Sequence, residues 1–176
     1  MPEIAQYNIV VLGRSEPGAQ SLDVAALEKL FGAPVTAQQT PIGLDLICMR
    51  LGVVASIAPS RIDVRYERGG ALSETESKVA GETLGRLSAG LVTTIRFKPT
   101  SYGINIHMRL NDLGIEPARW IAENFLSANA RMGWDGEVPM ASIRLFLPSP
   151  TAEARRELHF LALASRPESD LLIALN

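Results

Sequence analysis

The side chains in this chain best suited to chemistry are two histidines and a glutamate. Glu157 and His159 stand two residues apart in RRELHFLALA, and in an extended strand that spacing turns a carboxylate and an imidazole toward one side, the makings of an acid–base pair. His107, in YGINIHMRL, supplies the second imidazole. A metal centre would need three or more converging ligands, and the sequence holds no H-x-x-x-H, H-x-H or C-x-x-C spacing. It also lacks G-x-S-x-G, one setting of an activated serine. The single cysteine, Cys48 in LICMR, reads as a small buried hydrophobe rather than a nucleophile. Isolated histidines on strand faces are more often surface residues than catalysts, so no catalytic residue, metal or cofactor is expected.

A second candidate is VVLGRSEPGAQS, residues 10–21, where Gly13 and Gly18 are spaced as in a phosphate-cradling loop. Such a loop needs a lysine after the second glycine to reach the phosphates, and then a Ser or Thr to hold Mg²⁺. Ala19 and Gln20 stand there instead. The favoured reading is a solvated turn in which Pro17-Gly18 sets the chain direction before a helix capped by Ser21.

The third candidate is a surface. In YGINIHMRL, Tyr102, Ile104, Ile106, Met108 and Leu110 alternate with Asn105, His107 and Arg109. In LVTTIRFK, Leu91, Thr93, Ile95 and Phe97 alternate with Thr94, Arg96 and Lys98. A hairpin across Pro99-Thr100-Ser101 would bring Arg96, Lys98, His107 and Arg109 to one face. Arg61, Asp63, Arg65 and Glu67, together with Ser142, Arg144, Glu157 and His159, extend the same pattern in other strands. The candidate binding residues are therefore Arg61, Arg65, Arg96, Lys98, Asn105, His107, Arg109, Arg144 and His159, a locally basic face on an acidic protein. Its plain alternative is a solvated face laced with weak cross-strand ion pairs. No aromatic residue is expected on the polar side to stack with bases, which disfavours nucleic acid as the partner.

These residues must be positioned by strands and three helices. YNIVVL, GLDLICMRL, VVASIA, RIDVRYE, VPMASIRLFL, RRELHFLALA and SDLLIAL read as strands, besides the hairpin. The first helix has Val24, Leu27, Leu30 and Phe31 as its apolar stripe and stops at Gly32. The second, 73–88, opens on a Ser73–Glu76 capping box and buries Ala80, Leu84, Leu87 and Leu91; Gly81 and Gly85 weaken it unless they allow close approach to the sheet. The third begins near Pro117, buries Ala118, Ile121, Ala122 and Phe125, and ends at Gly133, before a turn at residues 134–136. Trp120 and Trp134 flank its apolar stripe, and packing under neighbouring chain suits them better than anchoring an interface.

Long strand runs with three helices predict a two-layer α+β domain over residues 1–176, its largely antiparallel sheet covered by helices mainly on one face. The element strings of 1–70 and 90–176 match as β-α-β-β-β, joined by the 73–88 helix, a pattern that suggests two similar halves although any α+β chain of this size yields similar strings. A chain of 176 residues, 47% hydrophobic, with net charge −2, buries a sizeable core and is not a generic polyanion binder. No apolar run is long enough to cross a bilayer and MPEIAQYN lacks the features of a secretory signal, so the expected home is the cytoplasm. The expected function is a non-enzymatic protein-binding or assembly module working through an uncovered sheet face and edge strands, with a protein partner or a homo-oligomer and no membrane. The alternative is a small-molecule binder or hydrolase with a pocket between sheet and helices.

Overall fold

Apolar–polar alternation over 43–66, broken at Gly52 and Pro59-Ser60, folds into three consecutive antiparallel strands. The computed structural model describes residues 2–15, 23–67, 72–110, 115, 117–125, 141–147, 156–162 and 171–175. Its elements run β1 (Pro2–Ser15), α1 (Val24–Phe31), β2 (Thr36–Thr40), β3 (Gly43–Cys48), β4 (Val53–Ala58), β5 (Arg61–Tyr66), α2 (Glu74–Thr94), β6 (Phe97–Leu110), α3 (Pro117–Phe125), β7 (Ala141–Leu147), β8 (Arg156–Ala162) and β9 (Leu171–Leu175). The protein is a two-layer α+β fold, and every strand pair whose register is described is antiparallel. None of the described helices is long and apolar enough to cross a membrane. The chain divides into two compact units, Gln6–Asn105 and Met1–Ala5 with Ile106–Asn176.

In the first unit the strand order is β2-β3-β4-β5-β1-β6. One face of this sheet carries Ile9, Val11, Leu46, Cys48, Val53, Ala55, Ile62 and Val64, all buried against α1 and α2. The α1 cap is Asp23, whose carboxylate accepts from the Ala25 N–H at 3.0 Å, and Gly32 ends the helix at φ 68°, in the left-handed region that only glycine enters freely. Ser21, the expected cap, lies outside the described residues, as do Pro17, Gly18, Gly133 and Trp134. Val24, expected in the buried stripe, is 50% exposed: it shares the face of Leu27 and Phe31 by spacing, but it is the first residue of the helix, a turn ahead of the buried part.

The Ser73–Glu76 capping box of α2 is present, and Ala80, Leu84, Leu87 and Leu91 are buried in one stripe. Each buried leucine contributes roughly 1.5–3 kcal/mol of transfer free energy. A side chain at Gly81 would meet the Tyr7 hydroxyl at 2.7 Å, so this glycine lets the helix lie close on β1. The helix also runs past its expected end. LVTT belongs to α2, not to a strand, because Leu91 and then Ile95 continue the stripe at helical spacing and the Thr93 hydroxyl bonds back to the Ala89 carbonyl at 3.1 Å. The expected hairpin is therefore absent: β6 is one strand from Phe97 to Leu110, passing straight through Pro99, Thr100 and Ser101. Strand β2, TAQQT, was not legible as a strand because its polar residues have no alternation.

In the second unit β6 from Ile106 onward is followed by β9, β8 and β7. Helix α3 packs Ala118 and Ile121 against Phe160, Ala162 and Ile173, with Met108, Leu145 and Leu158 at the margin. Trp120 belongs to this packing, with its ring 6.1 Å from Phe125 and 6.4 Å from Phe160.

Candidate functional site

Within each unit, the sheet face opposite the helices carries the candidate residues. In the first unit, Ile62, Val64 and Tyr66 point to the core, so Arg61, Asp63 and Arg65 point outward, and Glu67 continues their line. The register sets them against Leu12, Val10 and Asn8 of β1 on one side and Ala58, Ser56 and Val54 of β4 on the other. Arg61 pairs with Asp63 at 2.5 Å, and the Asp63 carboxylate also accepts from the Asn8 amide at 3.2 Å. Arg65 donates to Glu67 at 2.5 Å and to the Ser56 hydroxyl at 3.3 Å. Both arginines are thus matched by acids of their own strand, and this part of the face is charge-balanced rather than basic.

Burial on this face is deep, although none of the described helices packs on it. Asn8, Val10, Val54 and Asp63 are each buried. One group is left over: the Asn8 side-chain oxygen is buried with no hydrogen-bond partner among the described residues.

Gly13 resolves the proposed phosphate loop. It lies inside β1, with its N–H bonded to the Ser60 carbonyl at 3.1 Å, and a side chain there would collide with the Lys98 carbonyl and the Phe97 ring. The glycine serves close strand packing; Gly18 and the rest of the loop lie outside the described residues.

The second unit builds its face by register. His107, Ala174, His159 and Arg144 are successive partners across β6, β9, β8 and β7, and Arg109, Leu172, Leu161 and Ser142 form the next row. Two imidazoles and an arginine position thus share one row on one side. Met108, Leu158, Phe160 and Leu145 pack on the α3 side, so both histidines lie on the opposite side. A pocket between sheet and helix would therefore not enclose either of them. His107 is half-buried, and loss of hydration pushes its pKa below the ordinary value. Phe146, opposite Glu157 and alternating with Leu145, stands on the same outer side and is 72% exposed. The expectation that no aromatic residue would be found there is corrected: Phe146 follows Arg144 by two residues, but its apolar neighbours made it look like core.

Three further expectations are corrected. Arg96 is in no strand; it turns the chain from α2 into β6 at φ 50°, a position where glycine is usual. Lys98, exposed, lies in the same strand as His107 and Arg109, so no hairpin gathers it with them, whereas Asn105, half-buried, keeps its place two residues before His107 in β6. Tyr102 and Ile104, expected in the core, are 64% and 51% exposed. The described residues contain no group of three or more His, Cys, Asp or Glu placed to hold a metal ion.

No family model matches this chain, and no curated protein does. Among solved structures it is similar to one titled Methanococcus jannaschii TBP, with 14% identity and a TM-score of 0.37 over 99% of this chain and 86% of that chain. A likeness at that level carries no functional argument.

Proposed function

We propose that this protein is a non-enzymatic docking module whose outer sheet faces receive a protein partner. The observation that carries this reading is the composition of those faces: exposed apolar residues beside polar ones, with the charges of the first face already matched in place. Leu12 is 45% exposed next to the Arg61–Asp63 pair, and Phe146 is exposed beside the histidine row. Exposed aromatic and aliphatic side chains set among ordered polar groups are the makings of a protein interface, where anchors supply affinity and the polar frame supplies register. A polyanion would instead favour a face of unmatched lysines and arginines, and Arg61 and Arg65 are matched. No step of chemistry is assigned to either histidine.

Site-specific photo-crosslinking in the native cells tests this. A photoreactive residue at Leu12 or at Phe146 is expected to give adducts with protein, whereas one at Val79, 57% exposed on α2, gives none. Adducts with nucleic acid, equal labelling from all three positions, or none from the sheet faces would overturn the reading.

A further inference from the structure

The outer line of β5 has a property that goes further than docking in general. Arg61, Asp63, Arg65 and Glu67 follow one another on one side of the sheet as plus, minus, plus, minus. The residues paired with the three strand positions, namely Leu12, Val10 and Asn8 on β1 and Ala58, Ser56 and Val54 on β4, carry no charge. The line is therefore a ladder of alternating charge whose immediate neighbours are neutral or apolar, with Asp45 of β3 beyond Ser56 in the Asp63 row. Read backwards, such a ladder is its own complement.

We propose, resting on the docking reading above, that the partner of this face is a second copy of the chain, packed face to face with β5 antiparallel to its counterpart. A two-fold axis running between the sheets, perpendicular to β5 at the level of Val64, places Arg61 against the other copy's Glu67 and Asp63 against its Arg65. The two reciprocal pairs follow by symmetry, as an isologous interface requires. An axis parallel to β5 sets Arg61 over Arg61 and Asp63 over Asp63, so the charges select one orientation and reject the other. Sheets packed in this way lie about 10 Å apart, within reach of arginine and glutamate side chains extended from both faces.

The side chains at the two ends have the freedom the arrangement needs. Those of Arg61 and Glu67 are each 51% exposed, while Asp63 in the middle is 12% exposed and already held by Asn8 and Arg61. A guanidinium has five N–H donors, so Arg61 can keep its bond to Asp63 and still reach across. Closure also covers Leu12, which adjoins Arg61.

The full chain is examined by light scattering and sedimentation at low and high salt. It is expected to dimerise at low salt, and raising salt from about 0.05 M to about 0.5 M should weaken the dimer because the end pairs are partly exposed. Arg61→Glu and Glu67→Arg should each reduce self-affinity by about tenfold or more, since each turns two attractions into repulsions. Mixing these two variants restores a dimer, because every end position then faces its opposite, and so does combining both changes in one chain. Arg61→Gln and Glu67→Gln place no new charge beside Asp63 or Arg65; each should weaken the dimer less than the charge reversals do, with an unchanged far-UV circular dichroism spectrum showing that the variant folds. A chain monomeric at all concentrations, or a dimer indifferent to all four variants, overturns the proposal. If the chain is monomeric but Leu12 still crosslinks to a different protein, self-pairing fails and the docking reading stands; with no crosslink at all, both fail.

Discussion

The two units solve one problem in different ways. In each, the described helix packing lies on one side of the strands and leaves an outer face. In the first unit that face is closed by its own side chains: Asp63 and Asn8 sink among Val10 and Val54, and two arginines are tied down by acids. In the second unit Phe146 stands 72% exposed, and a row of His107, His159 and Arg144 positions runs across four strands. The comparison teaches that an uncovered sheet face is not one kind of surface. The first face carries charges matched in place, while the second carries an exposed aromatic ring beside a row of histidine positions.

The largest effect expected from breaking this contrast comes from Asp63→Ala. It strips the acceptor from the Asn8 amide, whose oxygen already lacks a partner among the described residues, and frees Arg61; the cost should be about 1–3 kcal/mol, read by chemical denaturation. A smaller, pH-specific effect is expected at His107. Burial lowers its folded-state pKa, so as pH falls through about 6.5 the unfolded chain takes up more protons than the folded one and stability declines. His107→Gln should flatten that part of the stability–pH curve while leaving neutral pH unchanged. Smallest of all, Phe146→Ser should alter stability by no more than about 0.5 kcal/mol, because the ring is exposed. A loss comparable to that of Asp63→Ala would mean that the second face is as closed as the first.

Much of the fold was legible where end chemistry and periodicity agree. Gly32 stops α1, Ser73 and Glu76 open α2, Pro117 begins α3, and the strands over 43–66 fall between their turns. The failure lies at 91–97, where two periods coincide. Leu91, Ile95 and Phe97 satisfy alternation, yet Leu84, Leu87, Leu91 and Ile95 satisfy a helix, and only packing against the first unit's core decides between them. The displaced Arg96 and Lys98 follow from that one misreading. The outward placement of Arg61, Arg65 and Asp63 was readable from alternation; their mutual pairing was not, because it depends on side-chain conformation and on which strands are neighbours.

Among the described residues of the first unit, β2 closes one end of the strand order, and it is five residues long with Thr36, Ala37, Gln38 and Gln39 exposed. An edge that short offers an incoming strand only about 17 Å of backbone, and its polar side chains add no greasy strip to reward the contact. Growth by strand addition from that side would therefore be brief and reversible, which protects a protein this rich in β-structure from running on into fibrils.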